Sequence, residues 1–541
     1  MLSSTFLSKF GVAIIKDMQM SKTITDVAII GAGHNGLVAA VFLARCGLRV
    51  TVFEEKAVIG GAAKTEYPFP KAPKLGTSSG AYLLGVMQPE LIAKLGARFK
   101  LIRRDPHYFL PTTDHRYLMF GSDVSAMREQ FLKFFSETDW KANDALTREI
   151  AEIRDDLVPS WMEEPLSLEN TAEKYIRHSL RETFINLVTR PVEDYLARFG
   201  FKSELLMAMY AVTDGFSGLT GSFGTPATGM NFLVHNMCRL PGADGTWMIV
   251  EGGMGSITKD LARLATEAGA KIETGTGVEK IMTGGGGVTG LQLKDGREIE
   301  AGVVMCNADP FRLRSLVGGE KFPKEFNAKL DNFKRAGTTL KVNLALDRLP
   351  TFKCLPENRG QHNATIHLLP QDTDVINHVR RGFEKVQAGE LADFPTIEWY
   401  IHTQADPTLR DDRGRHNAAF FVQWVPYELK DKSWDDEEER YVKHLFDIAD
   451  QFAPGFSDSV VDVFALTPRK IEQHFGISYG HIHHVDNTFG FDQRMPYTTP
   501  IAGLYSCGAG CHPAGSVIGS AGHNSAMRII KDLGVKSSQQ S

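Results

Sequence analysis

The clearest hydrophobic pattern in the chain is a short apolar run, followed by a glycine-rich turn and an apolar helix. The run from Val27 to Ile30 is wholly apolar, which is typical of a strand buried on both faces in a parallel sheet. Leu37–Arg45 has the alanine, leucine and valine content of a packed helix, and Gly47 is suited to end it. Because Arg49–Phe53 is again rich in β-branched and aromatic residues, the pattern predicts a β-α-β unit.

Similar patterns return in the middle and near the end of the chain. In the middle, the sequence predicts a helix from Ser256, a strand at Lys271–Thr274, a hairpin pairing Val288–Leu293 with Glu298–Ala301 across Asp295-Gly296, and a buried strand at Gly302–Asn307. Residues 500–519 predict a short strand and a glycine-rich bend, with a helix after them through Asn524–Leu533. We interpret these blocks as later parts of the domain that the front unit begins.

Two long stretches between these blocks have different patterns. In residues 101–247 the amphipathic spacing predicts packed helices, at Ala126–Phe135, Asn143–Leu157, Glu182–Phe199 and Ser203–Val212. Residues 336–494 predict an antiparallel sheet, with strands at Thr339–Leu346, Asn363–Leu369, Thr396–Thr403, Ala418–Val425 and Val460–Leu466. Ser433 precedes an acidic run and is expected to cap a helix there.

The glycine-rich turn after the first strand is a complete G-x-G-x-x-G motif. Gly31 permits the tight turn, Gly33 lets the backbone approach a pyrophosphate, and Gly36 allows close packing of helix on strand. Glu54 ends the second strand at the spacing of an acid that binds ribose hydroxyls, which favours FAD or NAD over NADP. The paired glycines Gly60 and Gly61 then allow the backbone to turn close to a bound cofactor.

Composition and charge exclude several classes of protein. The 541-residue chain has a net charge of only −5, with no basic stripe of the kind that nucleic-acid partners require. No apolar run approaches the length of a membrane span, although peripheral membrane contact through an amphipathic helix stays open. The six cysteines are sparse and scattered, which favours a reducing compartment.

The first residues allow two interpretations. Residues 1–22 carry several serines and lysines but a single acid, and their apolar patch does not fit a secretory signal. They are either a targeting leader for the mitochondrial matrix or a segment before a true start at Met18 or Met20. We therefore expect a cytoplasmic protein, with the mitochondrial matrix as the alternative.

Histidines cluster in one late segment of the chain, at His474, His481, His483 and His484. A metal site is conceivable there, but the segment offers no acid or thiol at ligand spacing. We interpret it as a loop at the edge of a cavity and predict no metal site.

Four motifs carry a resemblance to a known family. They are Ile29-Ile30-Gly31-Ala32-Gly33-His34-Asn35-Gly36, Ile59-Gly60-Gly61-Ala62-Ala63, Gly252-Gly253-Met254-Gly255 and Leu504-Tyr505-Ser506-Cys507-Gly508-Ala509-Gly510. With them the chain resembles the flavin-dependent phytoene-desaturase family of carotenoid and retinoid oxidoreductases. Within that family it is most similar to the pyridine nucleotide-disulfide oxidoreductase domain-containing proteins of animal mitochondria and their bacterial relatives. The resemblance covers nearly the whole chain, but Ala514 and Ser516 stand where relatives often carry glycine.

The resemblance implies that the protein holds FAD non-covalently. The cofactor-binding residues it implies are Gly31, Ala32, Gly33, Asn35, Gly36, Glu54, Glu55, Gly60, Gly61, Ala62, Ala63, Val278, Gly508, Val517, Ile518 and Gly519. His512 is the one titratable side chain expected near the flavin ring, as a catalytic residue. Disulfide reduction is not predicted, because no C-x4-C pair follows the motif.

The patterns and the resemblance together predict an α/β fold. It consists of a Rossmann-type FAD-binding domain with an inserted α+β substrate domain of helices and an antiparallel sheet. We assign residues 24–100, 248–335 and 495–535 to the FAD-binding domain, 101–247 and 336–494 to the substrate domain, and 1–23 to a leader.

The function expected on this basis is an FAD-dependent oxidoreductase. It would remove hydride from, or isomerise, a lipophilic small molecule, with oxygen or a quinone as electron acceptor. One alternative is a flavin-containing regulatory or chaperone-like binding protein. The other is an amine-oxidase-like flavoenzyme, although the R-x-G-G-R usual in that class is absent. The sequence leaves the substrate and the oligomeric state open.

Overall fold

The computed structural model describes residues 25–243, 245–371 and 374–535, so the predicted leader lies outside the described residues. The strands are β1 (Thr25–Ile30), β2 (Val50–Phe53), β3 (Thr65–Glu66), β4 (Thr77–Ser78), β5 (Leu101–Ile102), β6 (Tyr108–Pro111), β7 (Tyr117–Phe120), β8 (Ile249–Val250), β9 (Lys271–Glu273), β10 (Val278–Gly284), β11 (Gly287–Leu293), β12 (Glu298–Cys306), β13 (Thr339–Leu346), β14 (Thr365–Leu368), β15 (Thr396–Tyr400), β16 (His416–Gln423), β17 (Val460–Leu466) and β18 (Leu504–Ser506). The helices are α1 (His34–Arg45), α2 (Pro89–Leu95), α3 (Val124–Phe134), α4 (Glu137–Leu157), α5 (Leu168–Tyr175), α6 (Arg181–Thr189), α7 (Val192–Ala197), α8 (Glu204–Tyr210), α9 (Thr228–His235), α10 (Gly255–Glu267), α11 (Pro310–Val317), α12 (Lys324–Asn332), α13 (Val375–Gln387), α14 (His402–Ala405), α15 (Trp434–Phe452), α16 (Pro468–Phe475) and α17 (Ser520–Leu533).

The first sheet brings the front, middle and end of the chain together. Strands β18, β12, β1, β2 and β9 lie side by side and run parallel, and β10 and β11 extend β12 as an antiparallel meander. The pairing of Val27 with Val303 and Val50 places the first predicted strand at the sheet centre. The predicted Rossmann-type core is confirmed.

Strand β12 differs from its prediction as two separate strands. Its first half pairs with β11, for example Glu300 with Gly290, and its second half pairs with β1, for example Cys306 with Ile30. Both neighbours hydrogen-bond to one uninterrupted segment, so no break separates the hairpin strand from the buried strand.

Helices cover both faces of this sheet. Helices α1, α10 and α17 pack on one face, where Leu37, Leu261 and Ile529 share a buried cluster. The other face packs against α11 and α12 through Leu313 and Leu330. The helices predicted from Ser256 and through Leu533 are therefore confirmed, and burial of their apolar faces explains the sequence pattern.

The second sheet has the strand order β17-β13-β16-β15-β14-β6-β7. The strands predicted at Thr339–Leu346 and Val460–Leu466 are confirmed with the same bounds. Strands β6 and β7 were not predicted; they lie in the stretch for which the amphipathic spacing predicted packed helices. Strand β6 runs parallel to β14, so the sheet is not purely antiparallel.

The two faces of the second sheet have different environments. On β13, Leu340, Val342 and Leu344 belong to the core beneath α15, while the intervening Lys341 and Asn343 lie on the opposite face. Helix α15 begins after Ser433, whose hydroxyl accepts a hydrogen bond from the Asp436 backbone, as predicted.

The helical stretch forms a third core. Helices α4 and α6–α9 contribute most of its buried residues, together with α13. The helix predicted at Glu182–Phe199 is divided into α6 and α7, because Pro191 lies between them and lacks a backbone N–H. Helix α8 continues into a single π-helical turn, Ala211–Gly215. No helix in the described ranges combines the length and hydrophobicity needed to cross a membrane.

Candidate functional site

A cavity of about 360 Å³ extends between the two sheets, and its lining includes both the glycine turn and several buried charged or titratable side chains. Its walls include the turn after β1, the ends of β2 and β10, the segment 60–64, and the face of the second sheet that carries Lys341. The cavity therefore joins the predicted dinucleotide-binding turn to side chains of the substrate domain.

The glycine turn is packed so closely that Gly33 and Gly36 cannot be replaced by larger residues without displacing neighbouring atoms. Gly31 has a φ of +94°, which L residues rarely adopt. A Cβ on Gly36 would lie 2.3 Å from the Gly31 carbonyl oxygen, and one on Gly33 would lie 3.0 Å from Nδ2 of Asn307. Asn307 Nδ2 in turn donates to the Gly31 carbonyl oxygen at 3.2 Å, which fixes the turn at the start of α1.

Glu54 lies buried where β2 ends, beside the same turn. Its Oε2 accepts a hydrogen bond from the Ala32 backbone at 2.8 Å, and its Oε1 accepts one from the Lys56 backbone at 2.9 Å. Each carboxylate oxygen keeps a further lone pair for a ribose hydroxyl. Glu55 is more exposed and pairs with Lys294 and Arg312.

Unsatisfied polar atoms surround the turn. His34 Nε2, Asn35 Oδ1 and His484 Nδ1 are buried in this structure without a hydrogen-bond partner, and all three residues line the cavity. Burial, together with nearby His484, lowers the pKa of His34 to about 4, so its imidazole is neutral and can donate or accept. Because buried polar groups are normally paired, these atoms fit a bound polar ligand such as a dinucleotide.

The residues predicted to bind the cofactor fall into two groups. Those that line the cavity are Gly31, Gly33, Asn35, Glu54, Glu55, Gly60, Gly61, Ala62, Ala63, Val278 and Val517. Those that lie behind its wall are Ala32, Gly36, Gly508, Ile518 and Gly519. The second group supports the wall, since a Cβ on Gly508 would lie 2.6 Å from the Ala308 carbonyl oxygen.

His512 does not line the cavity, contrary to the position expected for it beside the flavin ring. Its Nε2 is 3.1 Å from the Ser160 carbonyl oxygen, and the side chain is buried. Burial lowers the pKa of His512 to about 4. Its ring is therefore directed at a carbonyl group of the helical stretch.

We call the part of the cavity beneath the second sheet the chamber; it is lined by Tyr82, Arg104, Trp247, Lys341, Glu398, Tyr400 and Phe421. One row of residues crosses the sheet from β13 to β14 and consists of Lys341, Phe421, Glu398 and His367. Lys341 is 3% exposed, and its amino group donates to the carbonyl oxygens of Ser78 and Gly80. It also lies 4.1 Å from the ring centroid of Tyr82, and burial lowers its pKa.

Glu398 and two tyrosines form a hydrogen-bonded group in the chamber. Tyr400 donates a short hydrogen bond to Glu398 Oε2, while Oε1 is buried without a partner. The rings of Tyr82 and Tyr400 are 4.4 Å apart. Burial raises the pKa of Glu398 to about 8, so the carboxyl group is largely protonated at neutral pH.

The π-helical turn places a second carboxyl group in the cavity wall. Asp214 Oδ2 accepts a hydrogen bond from Asn236, and Oδ1 lies 3.8 Å from Nδ1 of His235. Burial raises the pKa of Asp214 to about 7, and burial lowers that of His235 to about 3. Single π-helical turns frequently occur at functional sites, because the extra residue re-aims the side chains.

The chamber residues were missed in the sequence interpretation, although a signal for some of them exists. Lys341 and Glu398 are the single charged residues of β13 and β15, at positions alternate to the apolar residues that pack in the core beneath α15. Such a residue points away from the core and toward whatever the opposite face contacts. Arg104 and Asp214 carry no comparable local signal.

The histidine-rich segment forms part of the cavity wall, as expected. His474, His483 and His484 line the cavity, and His481 pairs with Asp486 at 3.1 Å. Among the described residues, no group of three or more His, Cys, Asp or Glu side chains is arranged to hold a metal ion.

Comparison with known proteins agrees with this geometry. A sequence profile described as flavin containing amine oxidoreductase matches residues 36–376. Pyridine nucleotide-disulfide oxidoreductase domain-containing protein 2 of Rattus norvegicus is 32% identical over 553 residues, which cover 94% of this chain and 94% of that protein. The zeta-carotene-forming phytoene desaturase of Myxococcus xanthus is 27% identical over 506 residues, covering 88% of this chain and 86% of that protein.

Solved structures show the same fold. An oxidoreductase from Methanosarcina mazei has a TM-score of 0.58 at 19% identity, and the match covers 94% of this chain and 100% of that one. The resemblance stated from the motifs is thereby confirmed.

Proposed function

Because the chain belongs to the flavin-containing amine oxidoreductase family and is an FAD-dependent oxidoreductase, we propose that it removes hydride from, or isomerises, a lipophilic small molecule. Oxygen or a quinone is the electron acceptor in this proposal. The zeta-carotene-forming phytoene desaturase among its relatives is named for a lipophilic substrate, which supports the choice of substrate class.

One observation carries the proposal: the cavity is continuous from the glycine turn to the chamber. Glu54 and Val278 lie in the wall near the turn, and Trp247, Phe421 and Ile482 lie in the wall of the chamber. A cofactor on the turn and an apolar substrate in the chamber would share one continuous space. Exclusion of water favours hydride transfer over side reactions.

FAD, when bound, supplies the hydride acceptor. The chain's own contribution would be to hold and orient it: Gly31, Gly33 and the start of α1 would receive the pyrophosphate, and Glu54 the adenosine ribose. The unpaired side-chain atoms of His34 and Asn35 would be available for further polar contacts. The remaining role, acceptance of a proton, requires a group that titrates near neutral pH.

Asp214 meets that requirement in our proposal. Its carboxyl group lines the cavity, and burial raises its pKa to about 7, so about half of the molecules carry the ionised form at neutral pH. Hydrogen bonding from Asn236 holds Oδ2 in place. The ionised carboxylate would take the proton that the substrate releases when hydride leaves the adjacent atom.

Anaerobic reduction of the bound flavin tests the proposal. The purified holoprotein is mixed without oxygen with a panel of lipophilic alkenes, alcohols and quinols, and separately with water-soluble amines. We expect the visible flavin absorbance to bleach with a member of the lipophilic panel. Bleaching by simple amines alone would support an amine oxidase instead, and no bleaching by any donor would support a binding protein.

We also propose a cytoplasmic location, with the mitochondrial matrix as the alternative. The six cysteines are all unpaired, as befits a reducing compartment, which both locations provide. Fluorescent fusions with and without residues 1–22 distinguish the two. A fusion that enters mitochondria only when those residues are present would establish the alternative.

A further inference from the structure

A buried arginine in the chamber has an unused hydrogen-bond donor. Arg104 is 4% exposed and lines the cavity. Its Nε donates to the Trp247 carbonyl oxygen at 3.0 Å, and its Nη1 donates to the Thr365 hydroxyl at 2.8 Å. These two bonds fix the orientation of the guanidinium group. Its Nη2 makes no hydrogen bond to any of the described residues.

The same arginine also lacks an acidic partner in the described chain. No carboxylate oxygen there lies within 4.0 Å of its nitrogens. Burial lowers the pKa of Arg104 only to about 10, so the group is positively charged at neutral pH. Buried charges are normally paired, and a lone buried guanidinium is therefore a position where a ligand can supply the missing negative charge.

Neighbouring groups do not neutralise this charge. Glu398 interacts electrostatically with Arg104, but its pKa of about 8 leaves it largely protonated at neutral pH. Lys341 cannot neutralise a positive charge; its amino group already donates to two backbone carbonyl groups, and burial lowers its pKa. The chamber wall therefore contains a charged guanidinium group with an oriented donor, and no carboxylate oxygen of the described residues lies within 4.0 Å of it.

We propose that Arg104 binds the carboxylate group of the substrate, which is a lipophilic molecule ending in a carboxylic acid. This inference rests on the proposed function and narrows its substrate class. Arginine suits the role because its planar nitrogens match the two oxygens of a carboxylate. Leu83, Trp247 and Phe421 line the same cavity and are available to pack against the apolar remainder. Arg104 determines specificity and takes no part in the chemical step.

Binding of matched ten-carbon probes to the FAD-loaded protein tests the proposal. The probes are decanoate, decan-1-ol and decylamine, which share a chain but carry a negative, a neutral and a positive end. Dissociation constants come from flavin difference spectra and from ligand-induced changes in melting temperature. We expect decanoate to bind about 10-fold or more tightly than decan-1-ol, since a charge-assisted hydrogen bond is gained.

Substitutions of the arginine separate its role from a general effect. Arg104→Met is expected to weaken decanoate binding by about 10- to 100-fold and to leave decan-1-ol binding within about threefold. Arg104→Lys retains the positive charge but lacks the two parallel N–H donors of the guanidinium group, so it should keep part of the preference for decanoate over decan-1-ol. Arg103→Met, at the exposed neighbouring position, is the matched control and should behave as the unchanged protein.

Each outcome has a defined meaning. Equal binding of decanoate and decan-1-ol to the unchanged protein, or an undiminished preference in Arg104→Met, overturns the carboxylate proposal while leaving a lipophilic substrate in place. If none of the three probes binds, both proposals fail. Should Arg104→Met lose its FAD, Thr365→Val serves instead, because it removes only the hydroxyl that orients Nη1 and should reduce the preference about threefold.

Discussion

At the scale of single residues, burial changes the chemistry of two carboxyl groups. Asp214 and Glu398 both line the cavity, and burial raises both pKa values, to about 7 and about 8. When the pKa of a group is higher in the folded protein than in the unfolded chain, the folded protein loses stability as the pH rises. The same two groups therefore link the chemistry of the cavity to the stability of the molecule.

The stability prediction concerns Glu398→Gln. The folded pKa of about 8 exceeds the unfolded value of 4.5, so the contribution of Glu398 is complete below pH 4.5 and is lost progressively toward pH 8. The loss amounts to at most about 5 kcal/mol. Between pH 5.5 and pH 8.5 the melting temperature of the unchanged protein should fall by more than that of Glu398→Gln. Glu357→Gln changes an exposed glutamate, so its melting temperature should depend on pH as that of the unchanged protein does. If melting temperature plotted against pH ran parallel for all three proteins, the prediction would be wrong.

The catalytic prediction concerns Asp214→Asn. If Asp214 accepts the substrate proton, the rate of anaerobic flavin reduction should rise as pH increases through about 7, where the carboxyl group ionises. The amide should reduce the rate by about 10²- to 10⁴-fold and abolish this pH dependence. Stopped-flow reduction with the lipophilic donor measures both effects. Asp194→Asn, an exposed site in the same helical region, is the control, and an unchanged profile in Asp214→Asn removes the residue from the mechanism.

At the scale of elements, the contact between β1 and α1 depends on the absence of a side chain. A Cβ on Gly36 would lie 2.3 Å from the Gly31 carbonyl oxygen, so Gly36→Ala must push the helix away from the turn. We expect FAD affinity to fall at least about 100-fold, or roughly 2.7 kcal/mol. The flavin-to-protein absorbance ratio after purification measures the effect. Gly302→Ala is the control, because nothing lies within 4 Å of the added carbon there.

The start of helix α15 offers a test in the substrate domain. The Ser433 hydroxyl caps the helix by accepting from the Asp436 backbone. Ser433→Ala should lower the free energy of unfolding of this region by about 0.5–2 kcal/mol, because an N-terminal backbone N–H loses its partner. Urea denaturation followed by tryptophan fluorescence measures this loss, while FAD content should not change. Ser433→Thr keeps a capping hydroxyl, so equal destabilisation by both variants would rule out the capping explanation.

Elements differ in how far the sequence could predict them. Strand β13 and helix α1 were predicted because their patterns are local and complete. Strands β6 and β7 were missed because each has four residues, and because β6 pairs with distant β14 while β7 pairs only with β6. Short strands of this kind carry little pattern of their own.

The candidate site shows the same division. Glu54 could be found because its spacing from the glycine turn is fixed by one β-α-β unit. Arg104, Asp214 and Glu398 come from separate parts of the chain, and only tertiary packing brings them to one cavity. The direction of the His512 side chain could not be predicted, because a glycine-rich bend does not determine which way its side chains turn.

At the scale of the whole molecule, the cofactor groove is built from all three segments of the first sheet domain. FAD should therefore stabilise that domain as a unit, by about 2.7 kcal/mol at a concentration 100-fold above its dissociation constant. Melting temperature measured against FAD concentration tests this. Glu54→Gln loses a charged acceptor and should need about 10- to 100-fold more FAD for the same shift. Glu300→Gln, on the exposed part of β12, should match the unchanged protein.

The strand order of the first sheet also has a consequence for biosynthesis. Strand β1 is synthesised long before its neighbour β12, which begins at residue 298, and before β18, which begins at residue 504. At typical elongation rates of roughly 5–20 residues per second, tens of seconds separate the synthesis of β1 from that of β18. The parallel part of this sheet, and with it the cavity wall at Val517, is therefore completed only after residue 517 has been synthesised.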